Sequence, residues 1–174
     1  MKYQRTILLL AACAAVGACN IPDTTMENGA ITMKDGIVSL HPEGNPDASI
    51  NESGQLQIGD KVVTVNAAQR GLLMLYYQSV LDVNQTGKEM GRVGAKMGGE
   101  ALKNKIEGKS DAQQNADAQH GGDQMKVLSQ KMCQDRANIK TVQDQLSTQL
   151  AEFKPYGNII TQDSVASCQD NTKP

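Results

Sequence analysis

Tryptophan is absent from this chain of 174 residues, phenylalanine occurs once and tyrosine four times. The core must therefore rest on Leu, Ile, Val, Met and Ala, and the aromatic sugar platforms that a glycosidase needs are missing. Histidine occurs only at His41, in a Pro-rich loop, and His120, in a polar stretch. A structural zinc site wants four Cys/His ligands at set spacings, which this set does not offer. No G-x-S-x-G elbow, P-loop, H-E-x-x-H pair or G-x-G-x-x-G turn is present. Acid pairs such as Glu43 with Asp47, or Glu100 with Glu107, are the ordinary charges of a solvated surface. These absences point to a protein that is not an enzyme and carries no cofactor. No apolar run reaches bilayer length, since the longest, Ile7 to Val16, is too short to span one.

That run has another use. Lys2 and Arg5 precede it, and Val16-Gly17-Ala18-Cys19 follows it in the pattern of a bacterial lipobox, so residues 1–18 read as a lipoprotein signal peptide. Cleavage before Cys19 would leave that thiol diacylated and the new amine acylated, as palmitate-type modification does, and two or three chains anchor firmly. Leu10-Ala11-Ala12-Cys13 also fits the pattern, but cleavage there leaves an apolar stretch of only about five residues. Asn20 after the anchor favours the outer membrane, which places the chain in the periplasm. Residues 19–29 then form a lipidated tether ahead of one α+β domain, residues 30–174.

Loss of the leader removes two bases and leaves 15 against 19 acids, a formal charge of −4. The distribution is uneven: residues 20–65 hold seven acids and two bases, whereas Asn84 to Lys109 holds six bases and three acids. Such a dipolar surface suits a protein partner, not nucleic acid. Cys133 and Cys168 are the other cysteines of the mature chain, and in an oxidising compartment they are expected to pair. Closing that loop of about 36 residues would contribute about 4 kcal/mol.

Hydrophobic alternation predicts an antiparallel meander of about four strands within residues 30–65, with Asp35-Gly36 and Gly59-Asp60 as turns. Asn66 and Gln69 then form a capping-box pattern that opens a long helix over residues 66–107. Leu72, Leu73, Leu75, Tyr76, Val80 and Val83 make its apolar stripe. Gly87, Gly91, Gly94 and Gly98 continue it as a row, beside Met90, Val93 and Met97. Lys88, Arg92, Lys96 and Lys103 fall on the opposite side and are the candidate partner-binding residues. Residues 108–122 are polar and small and read as a mobile linker, or as a helical extension with no tertiary partner. A second helix, residues 123–153, carries Met125, Leu128, Met132, Ile139, Val142, Leu146 and Leu150 at threes and fours, and residues 154–174 form a tail.

The two helices are expected to pack as a long antiparallel hairpin. Met125, Leu128 and Met132 would then lie over the glycine row, unless that row is an exposed docking groove. Insertion of the row into a bilayer is disfavoured, because nine charges between Lys88 and Lys109 would each cost about 2.5 to 3.5 kcal/mol near its centre.

The run from Ile58 to Val65, Ile-Gly-Asp-Lys-Val-Val-Thr-Val, followed by Gln69, Leu72, Leu73 and Tyr76, resembles the YggN-like family of proteobacterial envelope proteins. In that family a short hairpin leads directly into a long helix. Phe153-Lys-Pro-Tyr156 and Cys168 resemble the ends of related small lipoproteins. The resemblance implies a periplasmic, non-catalytic protein and carries over no active site.

Two functions fit an anchored chain without a catalytic set. One is an inhibitor, of the immunity type, that neutralises a toxin or effector in the periplasm. The other is an envelope-maintenance lipoprotein contacting lipid, peptidoglycan or an assembly machine. Both depend on the anchor. Mass spectrometry of the mature N-terminus is expected to show acylated Cys19, and an unmodified chain starting elsewhere would remove the membrane address.

Overall fold

The computed structural model describes residues 23–172, so the leader and Cys19 lie outside the described residues. The chain is an α+β protein. Six strands run in sequence order across one antiparallel sheet: β1 (Thr24–Met26), β2 (Ile31–Lys34), β3 (Ile37–Leu40), β4 (Ala48–Asn51), β5 (Leu56–Ile58) and β6 (Lys61–Val62). Strict alternation sets the faces. Ile31, Met33, Val38, Leu40, Ala48, Ile50 and Leu56 are buried, while Thr25, Thr32, Ser39, Ser49 and Gln57 line up across the other face.

Two features depart from the expected meander. Residues 24–29, expected as tether, pair Thr24 with Met33 and Met26 with Ile31, and Met26 is buried in the core. One polar Thr-Thr-Met step cannot announce a strand until its partner is in place. The segment from Ile50 to Ile58, expected as one strand, is two strands joined at a turn. There the Asn51 carboxamide oxygen accepts from Ser53 N (3.1 Å), Ser53 Oγ (2.8 Å) and Gln55 N (3.0 Å). Gly54 takes φ of 70° in that turn and abuts the next helix so closely that a Cβ would lie 2.6 Å from the Arg70 carbonyl.

The first helix, α1 (Ala67–Glu107), starts at the expected capping box. Asn66 Oδ1 accepts from Gln69 N and Gln69 Oε1 accepts from Asn66 N, both at 2.9 Å. Helix α2 (Asp111–Gln149) runs back against it, which is the expected antiparallel hairpin. The expected linker does not exist beyond the short connection at residues 108–110, because residues 111–122 are the opening turns of α2. Their polar sequence gives no helical stripe, yet they find partners on α1. Asn104 donates to Asp117 Oδ2 at 2.9 Å, and the buried Gly121 seats against Met97.

The sheet covers only the base of this hairpin. Leu73, Tyr76, Val80 and Val83 of α1 and Ile139 and Leu146 of α2 join the strand side chains in one core. Farther out the buried residues on the two helices are few, Val93 and Asn104 on α1 and Gly121 on α2, so residues 87–107 and 111–131 form a two-helix arm.

The C-terminal segment closes the base. A 3-10 turn (Ala151–Tyr156) buries Phe153 and Tyr156, with the Phe153 ring 5.8 Å from that of Tyr76. Gln143 is fully buried and pins the following loop. It donates to the Gly157 and Ile160 carbonyls at 2.8 and 2.9 Å and accepts from Ile160 N at 3.1 Å. The expected tail ends in a third helix, α3 (Gln162–Asn171), capped by Thr161. A disulfide joins Cys133 of α2 to Cys168 of α3, Cα to Cα 5.6 Å.

The glycine row does not lie beneath the second helix. Gly87, Gly91, Gly94 and Gly98 are exposed, and a Cβ would meet nothing within 4 Å at Gly91 or Gly98 and only the tip of Met132 or Met125 at the other two. Met90, Val93 and Met97 fill the hairpin seam instead, and the close backbone approach is made by Gly121. Glycine costs about 1 kcal/mol relative to alanine in a helix. Gly91→Ala with Gly98→Ala is therefore expected to raise stability by about 1 to 2 kcal/mol in urea titration. Gly121→Ala, whose Cβ would meet Met97 Cγ at 2.5 Å, is expected to lower it.

A candidate docking face on the long helix

Helix α1 is apolar around more of its circumference than the sheet can cover. Leu73, Tyr76 and Val80 face the strands, while Met74 and Leu75 look outward and, with the half-buried Leu72, Tyr77 and Leu81 that pack against the edge of the core, line an open groove of about 760 Å³ beside Glu52. Met74 is 46% and Leu75 56% exposed. Large clustered apolar side chains in solvent mark a contact surface, and Met and Tyr are the adaptable and anchoring types favoured there. The groove's wall is stiff: the Asn51–Gly54 turn packs on Arg70, and Tyr77 reaches the β2–β3 turn at Gly36. Leu75 was expected in the core stripe. The signal that could have placed it outside is the unbroken run Leu72 to Tyr77, which gives a helix no polar side.

Toward the arm the same outward face becomes charged. Three of the four expected partner-binding residues lie there, each paired along the helix: Arg92 with Glu89 (2.5 Å), Lys96 with Glu100 (3.8 Å) and Lys103 with Glu107 (3.8 Å). Exposed pairs of this kind contribute about 0 to 1 kcal/mol and are easily re-partnered. The stripe is thus a zwitterionic surface and not a basic one. Lys88 departs from it. It turns to a second cleft, of about 620 Å³, between the β1 end, α1 and α2, and has no ionic partner among the described residues.

That second cleft holds a half-buried ion pair. Glu27 pairs with Arg136, and the Asn84 amide donates to the Asp23 carbonyl at 3.2 Å and to Thr24 Oγ1 at 2.5 Å. Deeper in α2, Asp135 is buried but satisfied by Thr86 Oγ1 (3.0 Å) and Lys131 Nζ (2.7 Å). Tyr76 is fully buried and its hydroxyl has no hydrogen-bond partner among the described residues. Burial, with the Glu27 carboxylate adding to it, pushes the phenol well above its ordinary range.

One constellation has the order of a catalytic relay. His41 Nδ1 lies 3.0 Å from Asp47 Oδ2, and its Nε2 lies 3.2 Å from Thr32 Oγ1. Both His41 and Asp47 are exposed, and Thr32 sits mid-strand between two paired neighbours. The pair is open to water, where such a contact is weakest. The contact staples the loop over residues 41–47 to the sheet. His120 bonds only to Gln124, at 3.1 Å on the arm. Among the described residues no group of three His, Cys, Asp or Glu could hold a metal ion, and no helix is long and apolar enough to cross a membrane.

Comparison with known protein families, curated proteins and solved structures finds no match to this chain. The face on α1 therefore stands on its own chemistry.

Because burial raises the Tyr76 phenol in the fold, its contribution is complete below the ordinary tyrosine range and is lost progressively as pH rises from that range toward the raised value. Tyr76→Phe removes an unpartnered buried hydroxyl, so it is expected to leave neutral stability unchanged or raise it by about 1 kcal/mol. It should also flatten the loss at alkaline pH, measured by denaturation at neutral and alkaline pH.

Proposed function

We propose that this protein works by binding. On this reading it is a lipid-anchored periplasmic inhibitor of the immunity type, held at a bacterial membrane through Cys19, which neutralises a toxin or effector protein on the outward face of α1. The observation that carries the proposal is the groove of Leu72, Met74, Leu75, Tyr77 and Leu81, apolar and open on a helix whose other side is locked to the sheet. A preformed apolar centre beside adaptable charge pairs is the anatomy of a protein interface. A rigid wall also spares the ordering cost that binding otherwise incurs.

The test is competition between strains. Met74→Asp with Leu75→Asp places charge in the groove, and both residues are exposed enough for folding to survive. The double variant is expected to keep the wild-type melting temperature and to lose protection against a rival strain that delivers the cognate toxin. If it protects as well as wild type, the groove is not the binding site. If deleting the gene weakens the envelope with no rival present, the maintenance role takes its place.

A further inference from the structure

The inner face of the arm differs in kind from the outward one. On α1, residues Leu73, Tyr76, Val80 and Asn84 face the sheet, and at 100° per residue the same line continues through Gly91, Gly98 and Leu102, with Lys105 and Ile106 to either side of it. Past Asn84 the sheet has ended, and this line lies in solvent. Leu102 is 63% and Ile106 77% exposed. Every acid of the α1 arm, Glu89, Glu100 and Glu107, stands on the other side, taken up by Arg92, Lys96 and Lys103. Lys88 and Lys105, the two arm lysines of α1 without an acidic partner among the described residues, both fall within about 60° of this line. Asp23 and Glu27 lie near its sheet end, where Arg136 holds Glu27.

We infer that this face of the arm, Leu102 and Ile106 flanked by Lys88 and Lys105, is a membrane-surface contact for an anionic bilayer. Exposed apolar side chains beside lysines that have no acidic partner are the pattern of a helix lying in the headgroup layer. The chain's own course agrees. Asp23 hydrogen-bonds to Asn84 on this same face, and Cys19 stands four residues earlier, no more than about 14 Å of extended chain away. An anchor there would hold this face toward the bilayer. In that respect the inference rests on the anchored binding protein proposed above.

The chain from residue 19 with Cys19→Ala carries no acyl groups, so its binding to vesicles reports the arm and not the anchor. It is expected to co-sediment with vesicles of phosphatidylcholine and phosphatidylglycerol and to bind phosphatidylcholine alone weakly, with the difference fading as salt rises. Leu102→Asp with Ile106→Asp should lower the partition coefficient about tenfold. Lys88→Gln and Lys105→Gln should each lower it about fivefold on the anionic vesicles only. Val127→Asp, at a 64% exposed apolar residue on the other side of the arm beside Glu89 and Val93, should change nothing. Equal binding to both vesicle types, or an equal loss from Val127→Asp, would overturn the inference. So would a Leu102/Ile106 variant that turns a dimer into a monomer by light scattering without altering vesicle binding. An unacylated natural N-terminus would remove the anchor and leave this result to stand or fall by itself.

Discussion

The helices outrun the sheet. Helix α1 has 41 residues and α2 has 39, so at 1.5 Å per residue each is about 60 Å long. Six strands at about 4.8 Å spacing cover only about 24 Å. Everything else about the molecule depends on that mismatch. Where sheet and helices overlap, apolar faces are buried and the core is dense. Where the sheet ends, the same helical faces continue without a layer above them, and an inward stripe of Leu and Val gives way to glycine, alanine and isolated large residues.

The base compensates for its scarcity of rings by concentrating those it has. Tyr76, Phe153 and Tyr156 are all buried together, although they come from the start of α1 and the chain's last quarter. Bringing that quarter back is the work of specific polar and covalent links more than of apolar area. Gln143 satisfies three backbone groups at once, each of which would cost about 1 to 3 kcal/mol if buried unpaired. Tyr156 donates to the Pro46 carbonyl at 2.8 Å, which couples the tail to the loop between the central strands β3 and β4. Gly157 lies so close to Ser147 that no side chain fits between them. The Cys133–Cys168 bond then holds α3 where few apolar contacts would, since Val165 is the buried residue of that helix.

Helix α1 is consequently asked to do three things along one length. Its inner side packs on the sheet at the base, its seam packs on α2 throughout, and its outward side is left uncovered. The two surfaces proposed for contact lie at different heights of this one helix, one at the base around Met74 and Leu75 and one at the arm's end around Leu102 and Ile106. A rigid helix shared by both would keep a partner and a membrane surface from competing for the same residues.

Period and punctuation were enough for much of this architecture. The alternation in residues 31–58, the capping box at Asn66 and Gln69, and the apolar threes and fours from Met125 to Leu150 are local signals, and each element they announce is present. Cysteine count and the expected compartment likewise anticipated the pair that the fold brings together. The chain alone could not show that Thr24–Met26 is a strand, since its partner β2 supplies the reason, nor that residues 111–122 are helical, since Asn104 and Met97 supply theirs. It also could not decide which side of α1 each apolar or glycine residue would serve. Periodicity places residues on a face, but burial depends on how far the neighbouring layer extends. The glycine row, Leu75 and Leu102 are exposed because the sheet ends or lies opposite, and sheet width is a property of six strands packed together that no stretch of α1 encodes.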